Sequence, residues 1–148
     1  MTLEAVLAAF HLVAILTFVV FLSSQAALCR IEWLNAAVVE RLVRLDVIYG
    51  VAAMALIASG LVRVIWGVKG MSWYLSQPLF HLKITVVVAM ALMSIWPSLA
   101  FRRWRRDLRA TGALPGAPEV ARVRRLVMIQ SHVLPVVAVI AVFWTRGW

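Results

Sequence analysis

The stretch PLFHLKITVVVAMALMSIWP, residues 78–97, decides the fold of this chain. A largely apolar run of about 20 residues is long enough to cross the ~30 Å hydrocarbon core of a bilayer as a helix. The run carries His81 and Lys83 close to its start. Because ionisable groups are costly in hydrocarbon, these two side chains must reach an interface, face a partner inside a bundle, or bind a ligand.

The composition of the whole chain agrees with a membrane location. The 148 residues are 64% hydrophobic and 14% charged, with a mean hydropathy of +0.95. Soluble proteins average about 45–50% apolar and about 25% charged residues. The length allows about four spans of about 20 residues each. We therefore predict an all-α integral membrane protein whose single domain, residues 1–148, is a four-transmembrane-helix bundle.

The apolar runs place the four spans at about residues 3–28, 45–66, 78–101 and 126–144. The first run has no basic leader, so we expect a retained span and not a signal peptide. Residues 29–44 are predicted as an interfacial lead-in in which Glu40 and Arg44 support each other four residues apart. Residues 67–77 are predicted as a short connection with aromatic anchors, and 102–125 as a basic cytoplasmic loop.

The formal net charge of +9 comes from basic residues beside the apolar runs. This position indicates topology and contact with anionic lipid, and we expect no nucleic acid partner. Eleven basic residues belong to the first and third connections: Arg30, Arg41, Arg44, Arg102, Arg103, Arg105, Arg106, Arg109, Arg122, Arg124 and Arg125. The other side has Arg63, Lys69 and Arg146. The positive-inside rule then predicts a multi-pass protein of a bacterial inner (plasma) membrane with both termini in the periplasm.

Polar residues inside the spans are the candidate functional positions. Glu4, His11 and Gln25 follow a seven-residue spacing with Phe18 between them, which predicts one polar stripe on the first helix. Such a stripe is expected to face the interior of the bundle. In the second span, Asp46 lies on one face with Tyr49.

The three histidines of the chain all lie within predicted spans. His11 and His81 are each a few residues inside the outer end of a span, so we expect them in one layer. His132 is expected nearer Asp46, toward the other side, and we expect it to pair with Asp46 or with lipid-facing water. A buried imidazole serves as a structural group, a proton relay or a haem ligand. His81 and Lys83 are about 200° apart around a helix, so one of them must point away from any shared site.

Other chemistries find little support in the sequence. The single cysteine, Cys29, permits no intrachain disulfide or cysteine-rich metal site, and is expected to be a small interfacial residue. The sequence has no phosphate-binding loop, no HExxH motif and no Ser-His-Asp arrangement. We assign no catalytic residue.

Three sequence elements resemble the HemJ family of membrane protoporphyrinogen IX oxidases and a group of uncharacterised four-span relatives. They are AAFHLVAIL around His11, RLVRLDVIYG at the entry to the second span, and LFHLKI, which is similar to an H-x-K element that opens the third helix of that family. The fourth helix of the family opens with Asn-Glu-Val-Pro, whereas this chain reads QSHVLP at residues 130–135. The chain is therefore more similar to the uncharacterised relatives than to a HemJ enzyme.

The resemblance implies a haem b or porphyrin site formed by His11, His81 and Lys83, with the two histidines as the expected ligands of the haem iron. Glu4, Asp46 and His132 are secondary candidates. A HemJ-type oxidoreductase would pass electrons to a quinone or a respiratory partner. Two alternatives stay open: a transporter or channel subunit that relays protons or a metal ion, and a non-enzymatic assembly subunit. In each case we expect a lipid-embedded homo-oligomer.

Overall fold

The structure, a computed structural model, describes residues 2–66 and 70–145. Within these residues the chain forms α1 (Thr2–Leu28), a 3₁₀ turn (Ile31–Trp33), α2 (Ala36–Trp66), α3 (Gly70–Leu75), α4 (Pro78–Thr111) and α5 (Ala117–Thr145). The described residues contain no strand. Four of the helices are long and apolar enough to cross a membrane, which confirms the predicted fold class.

The four long helices pack as a ring. Helix α1 contacts α2 and α5, and α4 contacts the same two helices from the other side. The short helix α3 lies between α2 and α4 in sequence and contacts both. Helices α1 and α4 end, and α2 and α5 begin, at one end of this ring, which we call the arginine-rich end. The other end is the opposite end.

Three of the long helices, α2, α4 and α5, extend beyond the predicted spans at the arginine-rich end. Helix α2 begins at Ala36, and the expected loop 102–125 is helical except for residues 112–116. Arginine, alanine and leucine are good helix formers, so the charges mark where lipid contact ends without ending the helix. The 34 residues of α4 extend over about 51 Å at ~1.5 Å per residue, roughly 20 Å more than the hydrocarbon core needs.

Gly112 terminates α4. It has a left-handed backbone conformation (φ 73°), and its N–H donates to the carbonyl of Leu108 at 2.8 Å. Glycine adopts this conformation without steric cost and commonly ends helices in this way. The expected connection 67–77 likewise contains a helix, α3, in part of its length. Gly67, Lys69 and Arg146, which entered the charge and loop predictions, lie outside the described residues.

The tightest packing lies toward the arginine-rich end. Its completely or nearly completely buried side chains are Leu22, Cys29, Val39, Leu42, Phe101, Trp104, Val120, Val123 and Val127. Toward the opposite end fewer side chains are buried, and those that are buried are small or isolated, such as Ala14, Ala52 and Met90. Large apolar side chains on the outer faces of all four long helices are exposed to the surroundings, as expected for contact with lipid.

Polar contacts join α4 to its neighbours at the arginine-rich end. Glu119 of α5 pairs with Arg103 and accepts a hydrogen bond from the indole N–H of Trp104 at 2.7 Å. Arg109 donates to Glu40 of α2 at 2.8 Å. Glu40 thus bonds across helices, where the sequence had suggested the nearby Arg44 as its partner.

Candidate functional site

His11 lies at the contact of α1 with α2. Its Nδ1 is 2.7 Å from the hydroxyl oxygen of Ser59, a buried residue of α2. The Ser59 hydroxyl donates its hydrogen to the carbonyl of Leu56 at 3.1 Å. When this hydrogen is directed at the Leu56 carbonyl, the Ser59 oxygen accepts the Nδ1–H of His11. In that tautomer Nε2 of His11 carries a lone pair.

Two cationic side chains lie in electrostatic range of this imidazole. They are Lys83 of α4, which is partly buried, and Arg63 near the end of α2. Gly60 lies beside the ring, since a Cβ added there would be 3.6 Å from Cε1 of His11. The structure thus brings His11 and Lys83 into one region.

His81 has a different environment from Lys83. Its side chain is exposed, and its Nε2–H donates to the carbonyl of Leu75 at 2.8 Å. The ring also makes an edge contact with Phe80, with centroids 6.0 Å apart. This confirms that His81 and Lys83 do not share one face. His81 ties the start of α4 to the end of α3, and its described contacts do not include His11.

The secondary candidates Glu4 and His132 lie on exposed faces. His132 donates its Nδ1–H to the carbonyl of Met128, one turn earlier in α5, at 2.7 Å. The expected pairing of His132 with Asp46 is not formed, because Asp46 is buried on the inner face of α2 and bonds elsewhere. On the predicted stripe of α1, Phe18 and Gln25 are buried and His11 is partly buried, whereas Glu4 is exposed.

A second polar group crosses the bundle nearer the arginine-rich end. We call it the interior polar cluster, and its members are Gln25 of α1, Asp46 and Tyr49 of α2, Ser98 of α4 and Gln130 of α5. The Ser98 hydroxyl donates to Asp46 Oδ1 at 2.7 Å, and the Tyr49 hydroxyl donates to Gln130 Oε1 at 3.0 Å. Each of the four long helices contributes at least one member.

Gln25 is the least satisfied member of the cluster. Its side chain lies beside the carboxyl group of Asp46. Its Nε2 is nevertheless buried and lacks a partner in hydrogen-bonding geometry within the described part of the chain. A buried unsatisfied amide is unfavourable, so a water or ligand oxygen at this position would stabilise the bundle.

Only part of the interior polar cluster could be predicted from the amino-acid sequence. Gln25 and Asp46 were recognised from helical spacing, but Ser98 and Gln130 carried no comparable signal. Serine is common in transmembrane helices, and the pairing of residues 46 and 98 depends on how α2 meets α4. The one usable indication is that Gln130 is a rare strongly polar residue in an otherwise apolar part of the fourth span.

The chemistry of the two groups differs. Within residues 2–66 and 70–145, no three His, Cys, Asp or Glu side chains are placed to hold a metal ion together. A haem iron needs fewer protein ligands, because the porphyrin supplies four nitrogens and one imidazole completes a stable site. His11 with its free Nε2 meets that requirement. The interior polar cluster instead offers a carboxyl group inside a hydrogen-bonded network.

The fold and these polar groups define a four-span helical membrane protein. Residues 3–148 match the family described as predicted membrane protein (DUF2214), and the chain belongs to that family. Neither a curated protein nor a solved structure matches the chain. The family description states a membrane location and assigns no activity or ligand.

Proposed function

We propose that this protein binds haem b or a related metalloporphyrin within the membrane, with Nε2 of His11 as the axial ligand. The observation that carries the proposal is the 2.7 Å contact between Nδ1 of His11 and the Ser59 hydroxyl, which leaves Nε2 as the nitrogen for a ligand. Metal-bound histidines commonly donate their second ring N–H to an oxygen acceptor, which fixes the tautomer and orients the ring. The resemblance of the H-x-K element to the HemJ family points to the same ligand class.

The surroundings of His11 suit an anionic porphyrin. Lys83 and Arg63 bring two positive charges to the region of His11, and propionate groups carry two negative charges. Gly60 places only backbone beside Cε1 of the imidazole, where an added Cβ would be in van der Waals contact at 3.6 Å. A bound haem would supply one-electron redox chemistry, while these residues would hold it and balance its charge.

The geometry favours His11 as the single histidine ligand. His81 would have to break its hydrogen bond with Leu75 and turn from an exposed face before it reached the same iron. We therefore expect His81→Ala to leave the absorption spectrum of the haem-bound protein unchanged. A spectrum that changes in both His11→Ala and His81→Ala would show that both histidines bind.

The test is the absorption spectrum of protein purified after expression with added haem precursor. We expect a Soret band that His11→Ala abolishes and external imidazole restores. Ser59→Ala is expected to lower haem affinity about 10–100-fold through loss of the orienting bond. The matched control is His132→Ala, because His132 is an exposed intramembrane histidine. Loss of the band in that control, or a wild-type protein that binds no porphyrin, would contradict the proposal.

A HemJ-type oxidoreductase would also exchange electrons with a partner in the membrane. We propose a quinone as that partner, because it is a lipid-soluble electron carrier able to reach a site between helices. The measurement is reduction of the purified haem protein by a soluble quinol under anaerobic conditions. A haem that dithionite reduces but quinol does not would restrict the role of the protein to porphyrin binding.

The interior polar cluster supports a second candidate function, a proton relay centred on Asp46. The observation that favours it is a buried carboxyl group bonded to Ser98 and lying beside the unpartnered amide of Gln25. Glu4 and His132, the other proposed relay members, are exposed, so the relay would rest on the cluster alone. Liposomes containing the protein and a trapped pH dye test it. Proton flux should fall in Asp46→Asn and persist in His132→Ala; equal flux in both would contradict the relay.

A further inference from the structure

A cavity of about 140 Å³ lies at the arginine-rich end, between the α1–α2 connection and the first turns of α5. It is far larger than the ~10–15 Å³ that one water molecule requires. Apolar side chains including Val120 and Ala121 form part of the lining. Its charged lining residues are Arg30, Glu32 and Arg124. The cavity is separate from His11 and from the interior polar cluster.

Arg124 lies in the lining of this cavity, and its guanidinium is incompletely hydrogen-bonded. The side chain is partly buried, and its Nε is buried without a hydrogen-bond partner in the part of the chain that the structure describes. Buried donors on charged groups are normally paired, because the loss of hydration is otherwise uncompensated. Nε itself has almost no accessible surface, so an anionic oxygen in the cavity would offset the burial of this charge by pairing with the terminal nitrogens of the guanidinium.

Arg30 supplies a second guanidinium on the other wall. Its Cζ lies 5.2 Å from the centre of the Trp33 ring, a cation–π arrangement that helps to hold the side chain in place. The ion pairs found in residues 2–66 and 70–145 do not involve Arg30, Arg124 or Glu32. With one carboxylate and two guanidiniums, the charged lining retains a net positive charge.

We propose that this cavity binds the phosphate group of a membrane phospholipid, held between Arg30 and Arg124. Guanidinium groups recognise phosphate through charge-assisted hydrogen bonds. The exposed Trp33 lies beside the cavity, and tryptophan is typical of the level of the lipid headgroups. Glu32 would then lie near the headgroup substituent, where an ammonium group would pair with it.

Native mass spectrometry in mild detergent, with added phosphatidylglycerol or phosphatidylethanolamine, tests the site. We expect retained lipid adducts whose affinity falls about tenfold in Arg124→Gln, the loss of one charge-assisted interaction. Arg125→Gln is the matched control, because it removes the same charge from the neighbouring, exposed position. Equal weakening in both variants would mean general attraction to a basic surface and would overturn the proposal.

A second variant separates loss of the site from loss of the fold. Ala121→Leu keeps every charge but fills part of the cavity, so it should weaken lipid retention as Arg124→Gln does. Thermal unfolding of lipid-free samples should show both variants folded. Inorganic phosphate distinguishes the ligand sources: binding of free phosphate that depends on Arg124, with no phospholipid retained, would overturn the lipid assignment. If Ala121→Leu retains phospholipid at the wild-type level, the lipid does not bind in this cavity.

Discussion

Cys29 shows how burial changes the chemistry of one side chain. It is completely buried next to the end of α1, and burial raises the pKa of its thiol to about 11 despite the opposing charge of Arg124. Because the thiolate is the reactive form, we expect almost no alkylation of the folded protein by a water-soluble maleimide at neutral pH. The fold favours the neutral thiol. The folded protein therefore loses stability relative to the unfolded chain as pH rises from 9.0, the ordinary pKa of the thiol, to about 11.

The measurement is the labelled fraction before and after denaturation in detergent. Full labelling should appear only after denaturation. Ala37→Cys in a Cys29→Ser background is the control, because residue 37 is exposed in the first turn of α2. Rapid labelling of native Cys29 would contradict the burial of this position.

The Tyr49–Gln130 hydrogen bond allows a residue-level test of the interior polar cluster. Both side chains are buried, and their bond of 3.0 Å connects α2 with α5. Tyr49→Phe leaves the Gln130 oxygen unsatisfied and should cost about 1–3 kcal/mol. Because the double variant Tyr49→Phe with Gln130→Leu removes both partners, it should recover most of that loss. Thermal unfolding in detergent gives the comparison, and a double variant no more stable than Tyr49→Phe would show that the unsatisfied oxygen is not the cause.

At the candidate site, the depth of a residue along its span could be predicted from the sequence, but the direction of its side chain could not. The depths of His11 and His81 predicted one shared layer, yet the described contacts of His81 do not include His11. Ser59, which contacts Nδ1 of His11, lies 48 residues away and resembled the other small residues of the second span. The orientation of His81 toward Leu75 depends on α3, whose short helix the sequence did not reveal.

At the scale of the elements, the four predicted spans are present, and α2, α4 and α5 are extended at the arginine-rich end. Hydropathy reports where a helix leaves lipid, whereas helix propensity and Gly112 set where α4 stops. Arginines from 102 onward therefore continue the helix into water. Contacts such as Arg109 with Glu40 could not be predicted, because they require the packing of α4 against α2.

The contact of α4 with α5 depends on Trp104 and Glu119. The indole of Trp104 is 2% exposed, packs edge-on against Phe101 and donates to the Glu119 carboxylate. Trp104→Phe keeps an aromatic ring and removes the hydrogen bond, which for a charged acceptor is worth about 1.5–3 kcal/mol. We therefore expect a fall in the melting temperature of several degrees, at roughly 2–4 °C per kcal/mol.

Arg106→Gln is the control for that experiment. Arg106 pairs with its neighbour Asp107, and both side chains are largely exposed. Exposed pairs contribute little, typically about 0–1 kcal/mol. If Arg106→Gln lowers the melting temperature as much as Trp104→Phe, the α4–α5 contact is not the source of stability at this end.

At the scale of the whole molecule, topology follows from the unequal charge of the two ends. Eight arginines lie in residues 102–125, at the arginine-rich end, and three more lie between residues 30 and 44. We predict that this end is cytoplasmic and that both termini lie on the outer side. Alkaline phosphatase fused after residue 148 should be active, and the same enzyme inserted at Gly112–Gly116 should be inactive. Activity at 112–116 alone would reverse the topology.

The surface of the molecule leads to the last prediction, that the protein forms a homo-oligomer. In the most apolar part of α5 only 11% of the residues are buried, and in the corresponding part of α1 only 17%. Both helices therefore have broad outer faces that no other helix of the ring covers. Ala5 and Ala9 are exposed four residues apart on α1, a small-residue spacing that lets transmembrane helices approach closely. Native mass spectrometry in mild detergent should show more than one copy per particle. Ala9→Leu should shift the particle toward the monomer, whereas Val139→Leu, on an exposed position of α5, should not. A monomer in every detergent, or equal dissociation by both variants, would contradict association through α1.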